Sequence, residues 1–530
     1  MGLRVANLRL PVNESEADVL PRLAKILRIP PDEIESWRIL RKSLDTRDKH
    51  QIQFVYNLEV SVADEAAVLR HAPGGVAIEP YLEEPFSLPD PGTEPLAYRP
   101  VIVGSGPGGL AAAYFLAAQG YRPLVLERGP AVSQRIRDVK QVDSGGPLAP
   151  ESNYLFGEGG AGTFSDGKLT CRLTGPDVRR ILELFAECKG KPGILYEHRP
   201  HLGSNRLPAV VKAWRQRIEA MGGEVRFQCK VEDLDWAEGR IRGLKTSSGY
   251  LRADVVVLAI GHSARDTYEM LYRRGVPIVP KPFQFGVRVE HPQELVNRVQ
   301  YGSNRLEDRL GSADYSLVAR GRHDLFTFCM CAGGYIIPSV SEPGYFCTNG
   351  MSLSRRDSVW ANSGLVVTVP AEAFPSNHPL AGVELQRRYE RLAYEAGRGE
   401  YLCPVQRAVD FLHNRKTGSL PRTSYPRGVV AARLAELVPP PVVEALHHGL
   451  PILDRKWQGR FLPDAVLAGP EARGSSPVRL LRDATTRLSP GIDGLYPVGE
   501  GAGYAGGIIS AAVDGLRTAK AIIARFAPVH

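Results

Sequence analysis

The residues whose types and spacing most clearly suggest chemistry are glycines. Gly104, Gly106 and Gly109, within "RPVIVGSGPGGLAAAYFLAAQGYRPLVLERG" (99–129), have GxGxxG spacing, and the acid Glu127 follows. In such a turn one glycine bends the chain, one lets the backbone approach a pyrophosphate, and one lets the helix pack closely on the strand. The phosphates then sit at the positive end of that helix. An acid about 20 residues on accepts the ribose hydroxyls, so Glu127 favours FAD or NAD over a 2′-phosphorylated NADP. Ser105 and Pro107 lie inside the turn and Arg128 beside the acid. Two further stretches, "GEGGAG" (157–162) and "GAGYAG" (501–506), share the spacing but not the flanking strand-helix-strand order. They read as glycine-rich turns whose bare backbone can reach a ligand. Gly160, Ala161, Gly162, Thr163 and Gly501 therefore join the expected cofactor contacts.

Stepping outward, "PVIVG" before the first glycine is a short β-branched strand, "GLAAAYFLAAQG" after it a helix, and "YRPLVLERG" a second strand. Alternating strands and helices continue from Val101, the pattern of a layered α/β domain. Residues 1–95 read separately: "LRVANLRL" as a strand, "EADVLPRLAKILRI" as a helix, "HQIQFVYNLEVSV" as a strand, "ADEAAVLRHA" as a helix and "GVAIEPY" as a strand. This suggests the β-α-β-β-α-β order of a ferredoxin-like module. Within it "RKSLDTRDKH" (41–50) is expected to be a loop whose Arg41, Lys42, Arg47 and Lys49 could touch RNA, a partner or another domain. A proline-rich linker leads to an FAD-binding domain expected over 96–274 and resumed over 456–530, interrupted by a β-rich substrate domain over 275–455.

Composition narrows the function classes. The 530 residues carry 66 basic and 58 acidic side chains, net +8, with the basic residues dispersed among acidic ones. That dispersal argues against a nucleic-acid surface and for an anionic cofactor. Seven cysteines without a CxxC spacing, and no histidine cluster, suggest free thiols in a reducing compartment and no metal. No apolar run approaches a membrane span, and the N-terminus lacks a signal-peptide pattern, so the cytoplasm is the expected location.

The strand-GxGxxG-helix-strand-Glu unit, together with "GLYPVGEGAGYAGGIISAAVDG" near the C-terminus, resembles the FAD domain of the glutathione-reductase-like flavoproteins. The resemblance implies that Gly499 and Glu500 bind the flavin ribitol and that Gly506, Gly507 and Ile508 start a helix pointing at the isoalloxazine. "FGEGGAGTFSDGKL", "FGVRVEH", "FCMCAGG", "TNGMS" and "EARGSSPVRLLRD" are similar to a group of bacterial and plastid FAD-dependent dehydrogenases, over essentially the whole chain. Val231, Ala259 and Gly261 complete the expected cofactor set. Glu471 and Arg473 are expected to bind a polar or carboxylate substrate over the ring, or else to pair internally. Neighbouring Arg479, Arg482 and Asp483 offer alternative partners. His262 could move a proton or flank a helix cap formed by "SARD". Cys329 and Cys331, two apart and so on one face of a strand, are expected in the core, with Cys331 facing the flavin as the alternative. The expected activity is hydride transfer between a small organic substrate and flavin N5, with an unidentified electron donor or acceptor. Transient NAD(P)H binding and an RNA-associated role for the N-terminal module are the alternatives.

Overall fold

The computed structural model describes residues 2–70, 76–303 and 306–529. The N-terminal unit comprises β1 (Gly2–Pro11), α1 (Val19–Leu27), β2 (Ile34–Asp45), β3 (Gln53–Val62), α2 (Glu65–Arg70) and β4 (Ala77–Tyr81). Their sheet order is β2-β3-β1-β4, the ferredoxin-like arrangement. The helix expected over 63–72 ends outside the described residues. Contrary to the expected loop, Arg41 and Lys42 lie in β2, paired opposite Asn57 and Tyr56. The strand is hard to read because it is a charged edge strand of its sheet. The Lys42 and Arg47 side chains pair with Glu16 and Asp45. The Lys42 backbone bonds to Tyr196 and His198, Arg41 lies 2.6 Å from the His198 ring nitrogen, and Lys49 bonds to the carbonyl of Gln300.

The second unit is built on a five-stranded parallel sheet, β23-β11-β5-β6-β7. Its strands are β5 (Val101–Val103), β6 (Leu124–Leu126), β7 (Glu224–Arg226), β11 (Val256–Leu258) and β23 (Leu495–Pro497). All are short and fully apolar except β7, as strands covered on both faces must be. Helices α3 (Pro107–Ala118), α4 (Val132–Asp143), α5 (Pro176–Glu187), α6 (Leu207–Ala220) and α13 (Ile508–Arg525) belong with it. A three-stranded meander, β8 (Val231–Ala237), β9 (Arg240–Thr246) and β10 (Gly249–Arg252), precedes β11, and α7 (Arg265–Arg273) follows it. Helices α3 and α13 cross so closely that a Cβ on Gly515 would lie 2.0 Å from the Gly108 carbonyl oxygen. This contact joins chain segments just over four hundred positions apart.

The third unit centres on a seven-stranded sheet, β14-β15-β18-β13-β21-β19-β20. Its strands are β13 (Phe283–Pro292), β14 (Val318–Ala319), β15 (Leu325–Cys331), β18 (Trp360–Val369), β19 (Cys403–Arg407), β20 (Val429–Ala431) and β21 (Val466–Glu471). Two short ladders, β12 (Ile278–Pro280) with β22 (Val478–Leu480) and β16 (Gly334–Pro338) with β17 (Thr348–Ser352), flank it. Helices α8 (Gln293–Tyr301), α9 (Glu307–Leu310), α10 (Ala381–Ala396), α11 (Ala408–Leu412) and α12 (Pro440–Lys456) complete the unit. Strand β13 turns Phe283, Phe285, Val287 and Val289 into the apolar core, which leaves Arg288 and Glu290 on its other face although both are fully buried. Strand β21, expected with the C-terminal FAD segment, instead pairs with β13 and β19. Among the described residues no helix is long and apolar enough to cross a membrane.

Candidate functional site

A cavity of about 410 Å³ lies across the carboxyl ends of four adjacent parallel strands. β6 delivers Glu127 and Arg128, β5 the turn from Gly104 to Gly108, β11 the segment from Ala259 to Ala264, and β23 Gly499 and Glu500. Carboxyl ends of parallel strands are where such sheets place ligands, because the helices that follow present their N-termini there. Here α3 begins at Pro107 and α13 at Ile508, and both starts line the cavity. Gly160, Ala161, Gly162 and Val231 line it as well.

The glycines divide their work as the spacing predicts. Gly104 has φ +101°, and a Cβ there would meet the Ala259 carbonyl oxygen at 2.4 Å. A Cβ on Gly109 would fall 2.0 Å from the Gly104 oxygen, so this glycine serves helix-strand packing and does not line the cavity. Gly106, between them, has nothing within 4 Å of a Cβ, leaving its backbone open to a ligand. Gly506 is equally open at the start of α13. Two helix N-termini facing one elongated space, each with a bare glycine, fit a ligand carrying a pyrophosphate at one place and developing negative charge at another.

Other side chains hold this cradle in shape. The Glu127 carboxylate accepts from Ser105 N (3.0 Å) and Oγ (2.6 Å), Gly129 N (2.9 Å) and Gly157 N (3.2 Å). A carboxylate has about four acceptor positions, so a ribose hydroxyl would displace the rotatable Ser105 hydroxyl. Arg135, fully buried in α4, donates to the carbonyls of Asn153, Gly157, Glu158 and Gly160 and thereby moulds the second glycine turn. Arg128 forms paired bonds to Asp266 and lies 4.2 Å over the Phe156 ring. At the far side, Asp514 of α13 accepts from Gly499 N at 2.7 Å and pairs with Arg482, which fixes the turn bearing Glu500. Burial lifts the Glu500 carboxyl to about 7. Besides Gly109, two expected contacts, Thr163 and Gly501, lie off the cavity lining. The Thr163 hydroxyl donates to the Glu158 carbonyl, and Gly501 packs so that a Cβ would meet Gly261 backbone at 2.7 Å.

The seven-stranded sheet supplies the remaining polar lining. Glu471 and Arg473 both face the cavity but do not pair with each other. Glu471 binds buried Arg288 at 2.7 Å, and burial outweighs that cation, raising the carboxyl to about 7. Arg288 also donates to Asn362, Asn349 and the Cys329 carbonyl, so it is rigidly held. Arg473 bonds Glu390 through two nitrogens at 2.9 and 2.8 Å and Ser341 through a third. Glu390 takes a second bidentate pair from Arg265, at 2.8 and 2.7 Å. His262 lines the cavity with Nδ1 3.0 Å from Ser263 Oγ, and burial lowers it to about 4, so it is neutral. The expected "SARD" cap does not form. The N-cap of α7 is Ala264, while Asp266 binds Arg128 and Lys230.

Cys331 packs in the core as expected and does not face the cavity, but Cys329 departs from the expected core position. Cys331 is buried with no exposed surface and lies off the cavity, whereas Cys329 lines it. Cys329 has φ +46° and the β15–β18 register is irregular between Phe328 and Cys331, so a bulge breaks the alternation that would put both thiols on one face. Lys168 and Asn349 are among the lining residues that the sequence did not single out, and Cys329 reaches the lining where the core was expected. Lys168, 2.7 Å from buried Asp166, is reinforced as a cation by that neighbour even though burial opposes it. "GTFSDGKL" contained the signal, since an acid and a lysine two apart beside a glycine turn reach a common edge. Buried Arg288 gave none, because a lone arginine in a strand pattern normally marks a solvent face. Among the described residues no group of His, Cys, Asp and Glu could hold a metal.

Residues 282–474 match the model of the FAD-dependent protein, C-terminal domain-like family. Residues 102–160 match an NAD(P)-binding Rossmann-like domain, 171–317 an FAD dependent oxidoreductase, and 3–61 a domain of unknown function. An uncharacterized protein of Clostridium beijerinckii is 41% identical over 531 residues, covering 99% of each chain. A thiamine thiazole synthase of Archaeoglobus fulgidus is 29% identical over 31% of this chain and 56% of its own. Among solved structures, glycine oxidase from Bacillus cereus aligns over 80% of this chain and 94% of its own, with 13% identity and a TM-score of 0.33. The chain belongs to the same family as the Clostridium beijerinckii protein, and the FAD-dependent families matched along it make it an FAD-dependent oxidoreductase.

Proposed function

We propose that the protein transfers a hydride between a small polar organic substrate and FAD, with Glu471 managing the accompanying proton. The observation that carries this reading is that the buried Glu471 carboxyl, held by Arg288, opens on the same cavity as the starts of α3 and α13, and burial raises it to about 7. A group titrating near the working pH can both give and take a proton. Bound FAD supplies the hydride acceptor or donor at N5. Gly104 to Gly108 and Glu127 would hold its adenosine diphosphate part, Glu500 its ribitol, and the start of α13 would stabilise negative charge at the ring.

The chain's own groups then have distinct tasks. Arg288 fixes the Glu471 carboxyl at 2.7 Å. Lys168 supplies a fixed positive charge that orients a polar or carboxylate substrate. Neutral His262 contributes a hydrogen bond and no charge. The substrate lies between β15, β21 and the glycine turn.

The test is to purify the protein, record its visible spectrum and screen metabolites, NADH and NADPH anaerobically for loss of the flavin band. We expect a polar metabolite to bleach the flavin in wild-type protein and a Glu471→Gln variant to bleach at least about a hundredfold more slowly. A colourless protein that free FAD cannot reconstitute would overturn the reading.

A further inference from the structure

The bulge in β15 does more than displace one side chain. It leaves two thiols adjacent, one on the cavity and one behind it. The Cys331 thiol donates to the Cys329 carbonyl at 3.3 Å and lies 3.9 Å from Arg288 Nη2. Lys168 Nζ bonds the carbonyl of Met330, the residue between them. The pair thus sits between buried Arg288 and partly exposed Lys168, an electropositive and partly accessible setting of the kind that makes cysteines nucleophilic.

We propose that Cys329 and Cys331 form a thiol–disulfide exchange site opening on the cavity, with Cys329 the attacking thiol, Cys331 the resolving thiol, and a small organic disulfide as substrate. The Cys329 thiolate attacks one sulfur of the disulfide. A Cys329–S–S–R bond forms, the R–S–S–R bond breaks, and one RS⁻ leaves. Cys331 then gives up its proton and attacks the Cys329 sulfur, forming the internal disulfide and expelling the second RS⁻, which takes that proton. Two protein thiols are oxidised by two electrons, and one external disulfide is reduced to two thiols.

The electrostatics assign the roles. The neighbouring Cys331 thiol, with the charges of Lys168 and Arg288, pulls Cys329 below the ordinary thiol range. Burial and the neighbouring Cys329 push Cys331 up, and only Cys329 opens on the cavity, so the cavity-facing sulfur is the attacking one. Elsewhere burial acts alone or dominates, raising Cys188 to about 11 and Cys347 to about 12 and keeping those thiols inert.

The experiment uses the full-length protein with its bound FAD, reduced, desalted and exposed to bis(2-hydroxyethyl) disulfide, then alkylated and digested for peptide masses. The expected result is loss of two hydrogens from the peptide carrying Cys329 and Cys331, with the other cysteines alkylated. Cys331→Ser should instead trap a 2-mercaptoethanol adduct on Cys329, and Cys329→Ser should show neither product. Between pH 6.5 and 8 the adduct rate should change less than about twofold, whereas a thiol of ordinary pKa near 8.5 would speed up roughly twentyfold. Recovery of both cysteines alkylated in the wild type, or an adduct on Cys331, overturns the proposal. The flavin absorbance of the same sample reports FAD binding separately, so failure of the thiol site and failure of the FAD assignment are told apart.

Discussion

Glu471 reaches the cavity from the end of β21, and the cation beside it, Arg288, is itself committed to three other acceptors. Replacing the carboxylate with an amide keeps the shape and one acceptor but removes the proton. In the direction of substrate oxidation the group must accept a proton, so kcat/KM of the wild type should rise with pH and level off above about 7. Glu471→Gln should lose that limb and fall about 10² to 10⁴-fold at pH 8. A stopped-flow pH profile of flavin reduction measures both. An undiminished limb in the variant would assign the proton to another group, and neutral His262, held near 4, could not supply one titrating near 7.

At the level of elements, the β5-turn-α3 unit separates two uses of glycine that one motif combines. Gly109→Ala would drive a methyl into the Gly104 carbonyl at 2.0 Å and should cost about 1–3 kcal/mol, read as a fall in Tm of several degrees. Gly106→Ala meets nothing within 4 Å and keeps an ordinary φ of −68°, so the apoprotein Tm should stay nearly unchanged while FAD affinity weakens about tenfold or more. Equal effects of the two changes on stability would contradict the division. Strand β13 carries a different strain. Its Glu290, bonded to Ser424 N at 2.9 Å, is lifted by burial to about 7. Between the ordinary value of 4.5 and 7 the folded chain holds a proton that the unfolded chain has released, so this residue's contribution to stability is lost as pH rises through that window. Glu290→Gln should therefore melt higher than wild type at pH 8 and close to it at pH 5, by differential scanning fluorimetry.

These same elements mark how far the sequence could be read. The GxGxxG turn, Glu127 and the final helix were legible because a sharp turn, a close backbone approach and an apolar strand each demand particular residues in a fixed order. The Cys329 orientation was not, since strand alternation places residues two apart on one face and nothing local in "FCMCAGG" announces a left-handed residue. Nor was the partner of Glu471, because Arg288 is 183 positions away and only the β13–β21 pairing joins them. Long-range pairing of buried charges leaves no periodic trace.

The whole molecule depends on how the parallel-sheet unit meets the seven-stranded-sheet unit, since the cavity takes walls from both. One charged node spans that junction. Glu390 of α10 receives Arg265 from α7 and Arg473 from the end of β21, and all three are buried. Burial opposes ionisation there, but the two guanidiniums prevail and hold the Glu390 carboxyl down to about 2. A carboxyl depressed in the folded state contributes stability above its unfolded value of about 4.5 and loses it as pH falls toward its folded value. Glu390→Gln removes the carboxylate that both buried arginines share and leaves Arg265 only Glu342 at 3.7 Å, which should cost about 3–5 kcal/mol at pH 7. The difference in unfolding free energy between variant and wild type should shrink as the pH is lowered below about 4.5, because the wild-type carboxyl is being protonated toward the state the amide imitates. Arg473 also lines the cavity, so loosening this node should weaken FAD retention along with stability. Urea unfolding at pH 7 and pH 4, each with and without added FAD, measures the two effects together. A variant that melts early yet binds FAD as tightly as wild type would mean that the junction stabilises the fold without shaping the cavity.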